Sequence, residues 1–287
     1  MSDAILDQAA PACVLSTIDG PFCTIHLNRA EARNPLGADT VQALSQAVRQ
    51  ASQAPGVRAI VFTAAGPAFS AGGNLGNLQD RLDAPAGRDG RDPIAAGNRR
   101  YGDFLTELSR VPQVTLACVQ GPAMGGGAGL ACAVDIAIGS PLARFGFPEA
   151  SIGLVPGQIL PFVAARLGPQ AARRLVLTAE RIDAAEAHRI GLLDYLAESP
   201  QELMPLAQRV LRSILATAPQ ASAATKRLLG GLPVAPLPAS EALQGYLDAA
   251  ADLFAQQMRS EAPEGVTAAL ERRPAKWNQA AGLNLGI

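Results

Sequence analysis

Apolar positions along this chain switch between a two-residue and a three-to-four-residue period, and the switches mark its elements. Val14 to Ile18 and Phe22 to Leu27 are short, β-rich runs around Asp19-Gly20-Pro21, which predicts a hairpin. From Asp39, a residue suited to cap a helix, Val41, Leu44 and Val48 recur at helical spacing until Pro55-Gly56 ends the pattern. A strand over 57–63 follows, then the loop Gly66-Pro-Ala-Phe-Ser-Ala-Gly-Gly-Asn-Leu75, then a polar stretch over 79–98 that reads as a mobile loop. Tyr101, Phe104, Leu105 and Leu108 define one face of a second helix, and Pro112 precedes a strand from Val114 to Val119. Strands from Asp135 to Gly139 and Ala143 to Phe145, helices between Ile159 and Arg189, and a short strand near Leu192 to Leu196 complete an alternation that predicts an α/β layered fold. In such folds ligands bind at strand-to-loop ends.

Beyond Gln201 the pattern is wholly helical. Leu203, Leu206, Val210, Leu211 and Leu215 mark one helix, a proline-rich link covers 232–238, and Leu243, Tyr246, Leu247, Leu253 and Phe254 mark another. The division predicts a body over 1–198 and a separate helical module over 199–287. The module's apolar faces exceed what one thin layer must hide, which predicts contacts between copies of the chain.

With 287 residues, 48% of them hydrophobic, the chain buries one substantial core plus an appended piece. A formal net charge of −1 with scattered cations gives no footprint for nucleic acid. The first residues lack the basic and apolar regions of a secretory signal, and no apolar run reaches a membrane span, so the expectation is a cytoplasmic protein without a membrane partner. Cys13, Cys23, Cys118 and Cys132 lie in apolar contexts without CxxC spacing, which predicts buried reduced thiols and no metal site.

The chemistry concentrates in Val114-Thr-Leu-Ala-Cys-Val-Gln-Gly-Pro-Ala-Met-Gly-Gly-Gly-Ala-Gly129, where a strand breaks into glycines that open a helix. Gly125, Gly126 and Gly127 carry no Cβ, so a ligand oxygen can approach the main chain, and the helix's first amides add unpaired donors. Phe69-Ser-Ala-Gly-Gly-Asn-Leu75 is a second glycine turn after a strand. One N–H from each would hold the oxygen of a thioester enolate, the charge that builds when a proton leaves or joins the α-carbon. Read singly, each is a tight turn requiring positive φ. Glu149, in Phe145-Gly-Phe-Pro-Glu149, sits among apolar neighbours that would raise its pKa toward proton-transfer range; alone it also reads as a solvated loop acid. Gly127-Ala-Gly-Leu-Ala-Cys132 lacks the third glycine of a dinucleotide fingerprint, and His26 and His188 have no nucleophile paired with them, so both histidines read as structural.

Taken together, the Phe69–Leu75 loop, Gln120-Gly-Pro-Ala-Met-Gly-Gly-Gly127, Asp135 and Phe145-Gly-Phe-Pro-Glu-Ala-Ser-Ile-Gly-Leu-Val-Pro-Gly157 resemble the crotonase (enoyl-coenzyme A hydratase/isomerase) superfamily in order and spacing. The resemblance implies a crotonase-like spiral of ββα units with a C-terminal helical trimerisation region, assembled as a trimer or hexamer. It places the oxyanion hole on Gly73 and Gly126 and the proton on Glu149. It places the acyl-CoA around Arg29, Ala68, Ala71, Asn74 and Gly125, with Lys276 near a phosphate. Coenzyme A is then part of the substrate, and no metal or other cofactor is implied.

Two positions depart from the two-glutamate hydratases: Gly129 stands where they carry the first glutamate, and Asn74 where many carry aspartate. The run from Gly153 to Gly168 is similar to bacterial methylglutaconyl and isohexenylglutaconyl hydratases, which also keep glycine at the first position. There Gly157 and Gln158 would orient water or a substrate carboxylate; Gln158 equally reads as a solvent-facing residue at a helix start. Arg81, Arg88, Arg91, Arg99 and Arg100 are either solvated or poised to meet an acidic acyl tail. The implied function is hydration of the 2,3-double bond of an enoyl-CoA thioester, of branched or glutaconyl type. The alternatives are a Δ3,Δ2-enoyl-CoA isomerase using Glu149 as a proton shuttle, and a catalytically silent acyl-CoA-binding protein.

Overall fold

The structure, a computed structural model, describes residues 12–73, 92–230, 240–273 and 275–276. The predicted hairpin forms from β1 (Val14–Asp19) and β2 (Phe22–Leu27), antiparallel in the register Val14↔Leu27 to Asp19↔Phe22. Cys23, Ile25 and Leu27 alternate into the core from β2, while β1 stays largely exposed at the sheet edge. The sheet continues with β3 (Ala59–Ala64), β4 (Val114–Val119), β6 (Ile136–Gly139) and β9 (Tyr195–Leu196), all parallel beyond β2. Parallel strands need both faces covered, and their sequences show it. In β3 and β4, Ile60, Phe62, Ala117 and Val119 enter one core, and Ala59, Val61, Leu116 and Cys118 enter the other.

A second, smaller sheet orders β5 (Pro122–Met124), β7 (Arg144–Gly146) and β8 (Arg181–Asp183), and Ser70 extends it by a parallel bridge to Ala123. The helices α1 (Ala38–Gln53), α2 (Pro93–Arg110), α3 (Gly126–Ala133) and α4 (Leu160–Thr178) pack around both sheets. Three successive units thus give one strand or bridge to each sheet and then a helix: β3, Ser70 and α2; β4, β5 and α3; β6, β7 and α4. This is a winding of ββα units.

Several boundaries differ from expectation. Helix α1 is entered from Gly37, not Asp39; Asp39 lies in the first turn, where its carboxylate meets Arg29. Helix α2 begins at Pro93 with Asp92 capping Ile94 N–H, so the end of the polar 79–98 stretch is helical; its residues up to Arg91 lie outside those described. Strands β5 and β8 carry too few apolar residues to show any period and are defined by their pairing, β8 with β7 and β5 with β7 and Ser70. Helix α4 breaks at Gly168, whose φ of +73° and following Pro169 turn the chain, and α5 (Ala184–Arg189) follows β8.

The C-terminal helices are not a layer apart. Helix α6 (Leu203–Leu215) covers the main sheet, with Leu206, Val210 and Ile214 packed on it, and α7 (Pro219–Gly230) follows, its Lys226 reaching Asp135. Helix α8 (Ser240–Arg259) lies along α2, and α9 (Ala262–Leu270) lies against the turn Pro148–Ile152. Ile94, Leu154, Phe254 and Met258 therefore share one core. Leu243 and Leu247 are buried within the chain, leaving Tyr246 and Leu253 exposed on α8. Helix α8 is also latched by charge: Arg99 of α2 reaches Asp103 and Asp248, and Arg259 meets Asp92. Arg99, read as a loop cation, is 13% exposed.

Candidate active site

The two glycine turns meet. Met124 N–H donates to the Ser70 carbonyl (2.9 Å), Phe69 N–H donates to the Pro122 carbonyl (3.0 Å), and a Cβ added to Gly72 would lie 3.3 Å from Gly126 N and 2.5 Å from Met124 O. Only glycine fits there, and its φ of +80° excludes most side chains as well. Gly73 follows, exposed, with open space around its Cα, and Gly126 is partly exposed. Gly126 N–H is the first amide of α3 and has no intrahelical acceptor, whereas Gly125 N–H is spent on the Gly146 carbonyl (2.8 Å). Asn74 lies outside the described residues.

Glu149 closes the arrangement. Gly125, at φ +50°, presents a bare Cα over which the carboxyl lies: an added Cβ would be 2.7 Å from Glu149 Oε1. Oε2 is shielded from solvent and has no hydrogen-bond partner among the described residues, and burial raises the carboxyl pKa from 4.5 to about 7. The solvated-loop reading of this acid therefore fails. Its place follows from Phe145 and Phe147, both fully buried, which drive the chain inward just before Pro148 turns it.

Helix α3 offers no second carboxylate. A Cβ at Gly129 would collide with Ile159, whose Cβ would be 2.8 Å away, so the site of the family's first glutamate is filled by an apolar side chain from the start of α4. Gln158 is neither solvent-facing nor free. It is 3% exposed, its Nε2 donates to the Leu247 carbonyl of α8 (2.9 Å), and its Oε1, without a partner among the described residues, sits against Gly102 of α2. Gly157 is buried under Ala250 of α8.

The residues implied for coenzyme A gather only in part. Arg29 pairs with Asp39 at 2.5 Å and stays partly exposed; Ala71 is exposed, with its N–H donated to the Arg33 carbonyl (2.8 Å). Ala68 is buried, and both lone pairs of its carbonyl are taken, by Asn34 Nδ2 (3.0 Å) and Gln120 Nε2 (3.1 Å). Lys276 is held beside α9, where its N–H donates to Glu264 (2.9 Å) and its Nζ is 3.8 Å from the same carboxylate. Cavities of about 410 Å3 and about 170 Å3 lie at α6 and α7 and include none of these residues.

Sequence pattern missed the residues that hold the turns. Asn34, in the left-handed region at φ +53° and 2% exposed, accepts from Arg29 N–H and donates to the Ala65 and Ala68 carbonyls. Ser70, fully buried, donates to the Asn34 carbonyl (2.8 Å) and accepts from Gly72 N–H (3.1 Å). Gly127 leaves room for it, since a Cβ there would be 2.8 Å from Ser70 Cβ. Gln120 Nε2 donates to the Ala64, Gly66 and Ala68 carbonyls. Asparagine before proline is a signal for a special turn, but nothing local predicts what these side chains bridge.

The sequence profile of the enoyl-CoA hydratase/isomerase family matches residues 17–280. The chain belongs to that family. It is 31% identical over 266 residues to a crotonyl-CoA hydratase of Syntrophomonas wolfei, covering 89% of this chain and 94% of that protein. It is 32% identical over 213 residues to a short-chain-enoyl-CoA hydratase of Clostridium acetobutylicum, covering 74% and 78%. Among solved structures, an enoyl-CoA hydratase/isomerase from Marinobacter aquaeolei superposes with a TM-score of 0.74 at 36% identity, covering 92% of this chain and 98% of that one. The winding of ββα units is thus the crotonase fold. Among the described residues no helix is long and apolar enough to cross a membrane.

Proposed function

We propose that this chain is an enoyl-CoA hydratase that works with one carboxylate. The observation that carries the reading is Glu149, whose carboxyl lies over Gly125 beside the first amide of α3 with its Oε2 shielded from solvent. With the thioester oxygen on Gly73 and Gly126 N–H, negative charge built there is stabilised by two preorganised donors. Glu149, as carboxylate, takes a proton from water while the water oxygen bonds C3 and the double-bond electrons move toward the thioester. The same proton then passes from Glu149 to C2, so water is added across the bond and the carboxylate is regenerated. No further cofactor enters the balance. Arg29, Ala68 and Ala71 are proposed to line the coenzyme A site, with Lys276, after release from Glu264, near a phosphate; Ala68 would contribute shape, since its carbonyl is already saturated.

The hydratases among the relatives support hydration over other reactions of the family. Within that class the Gly153–Gly168 pattern supports a branched or glutaconyl-type acyl group. Gln158 Nε2 is committed to Leu247, which removes one donor for an acidic tail and favours a branched, uncharged one. One observation favours the isomerase reading instead: Ile159, in the place of a second glutamate, leaves a drier site in which Glu149 would move a proton from C2 to C4. We also propose a homo-oligomer, trimer or hexamer, and a cytoplasmic location. Tyr246 and Leu253 supply exposed apolar surface for assembly, and sedimentation as a monomer would overturn that part.

The test offers crotonyl-CoA and a 3-enoyl-CoA to the purified protein and follows absorbance of the conjugated thioester. Loss of absorbance with crotonyl-CoA, and no gain with the 3-enoyl thioester, supports hydration. Gain without loss assigns the isomerase, and tight binding without turnover assigns a silent binding protein.

A further inference from the structure

Tyr101 of α2 touches the start of α3. Its hydroxyl donates to the Gly126 carbonyl at 2.5 Å, and its ring packs beside Phe104 with centroids 5.9 Å apart. A Cβ added to Gly126 would lie 3.3 Å from Tyr101 Cε1 and 3.2 Å from Leu36 Cδ1. Leu36 comes from the segment beside the other glycine turn, its own N–H tied to the Gly72 carbonyl at 2.8 Å. The two side chains therefore stand around the amide expected to hold the thioester oxygen, and both are partly exposed.

From this placement, and resting on the thioester-site reading above, we infer that Tyr101 is the specificity-determining wall of the acyl pocket. Its ring, pinned by the bond to Gly126, admits small uncharged acyl groups and excludes long ones. The hydroxyl proton is spent on the carbonyl, so the substrate meets the ring's apolar surface. The neighbouring cation, Arg99, is turned to Asp103, Gln244 and Asp248 and offers nothing to an acidic tail. A pinned ring is a good gauge of size, because a rotating one would yield to a longer chain at small cost.

The experiment measures kcat and KM of wild type, Y101F and Y101A with crotonyl-, hexenoyl-, decenoyl- and methylglutaconyl-CoA. In parallel it measures binding of butyryl-, hexanoyl- and decanoyl-CoA by calorimetry. Wild type should prefer the short, uncharged thioesters. Y101A should raise kcat/KM for decenoyl-CoA relative to crotonyl-CoA by about tenfold or more and tighten decanoyl-CoA binding in step. Y101F keeps the ring but removes the bond that pins it, so it should move the decenoyl-to-crotonyl ratio in the same direction as Y101A but by less, a graded response that general loss of structure would not produce. If Y101A loses activity equally on every length, or leaves the binding order unchanged, Tyr101 is not the wall. Preference of wild type for methylglutaconyl-CoA would overturn the uncharged class. Failure of wild type to hydrate any thioester would sink the hydratase reading alone, because the saturated ligands still report on the wall.

Discussion

Replacing Glu149 by glutamine should separate the two costs this carboxyl imposes. The folded protein holds the group at a pKa of about 7 against an ordinary 4.5, with burial as the cause. Each pH unit of that gap corresponds to about 1.4 kcal/mol, so folding with the charged form costs about 3 kcal/mol at most. Below the ordinary value both folded and unfolded chains carry the proton, and the group contributes nothing to the pH dependence. Between about 4.5 and about 7 only the unfolded chain ionises, so stability falls as pH rises, and above that range the cost is constant. E149Q removes the ionisation and keeps the shape. Its melting temperature should match wild type near the low-pH end and exceed it under alkaline conditions, by roughly 2–4 °C per kcal/mol in a domain of this size. The same variant should lose about 100-fold or more in turnover while binding a saturated acyl-CoA normally. Calorimetric melts of both proteins across pH, beside steady-state rates with crotonyl-CoA, make the comparison. A difference in melting temperature that does not change with pH would refute the claim that the charged carboxylate is buried at a cost. An unchanged rate would refute its role in proton transfer.

In wild type, kcat/KM should fall about tenfold per pH unit below about 7, because the base must be ionised in the free enzyme; a profile flat through that region would exclude Glu149 as the base. G72A forces a methyl to 2.5 Å from the Met124 carbonyl and into the φ +80° region, so turnover should drop by about 100-fold through separation of the two amides, with rates on crotonyl-CoA as the readout. G129E should lower stability by about 1–3 kcal/mol without restoring a two-glutamate rate, and adding I159A should recover much of that loss in denaturant titrations. S70A leaves the buried Gly72 N–H without its acceptor and should cost about 1–3 kcal/mol, measured the same way.

The sequence by itself determined the hairpin, the parallel strands over 59–64 and 114–119, the helices and the glycine-to-helix junction, because those features are local. Periodicity, turn chemistry and missing Cβ atoms act within a few residues of one another. It also named the acid and both glycine turns, through a pattern whose order and spacing are legible without coordinates. The tertiary structure alone decided what those residues are next to. Gly72 meets Gly126 only because Ser70 joins the small sheet beside β5, and Asn34 and Ser70 lock that approach from segments far apart in the chain. Ile159 fills the place of an absent carboxylate, and α8 turns Gln158 and Arg99 inward, effects of packing between elements that no window along the sequence contains. Burial follows the same rule: a glutamate after a proline reads alike in solvent or in a core, and only its desolvation in the folded chain raises its pKa.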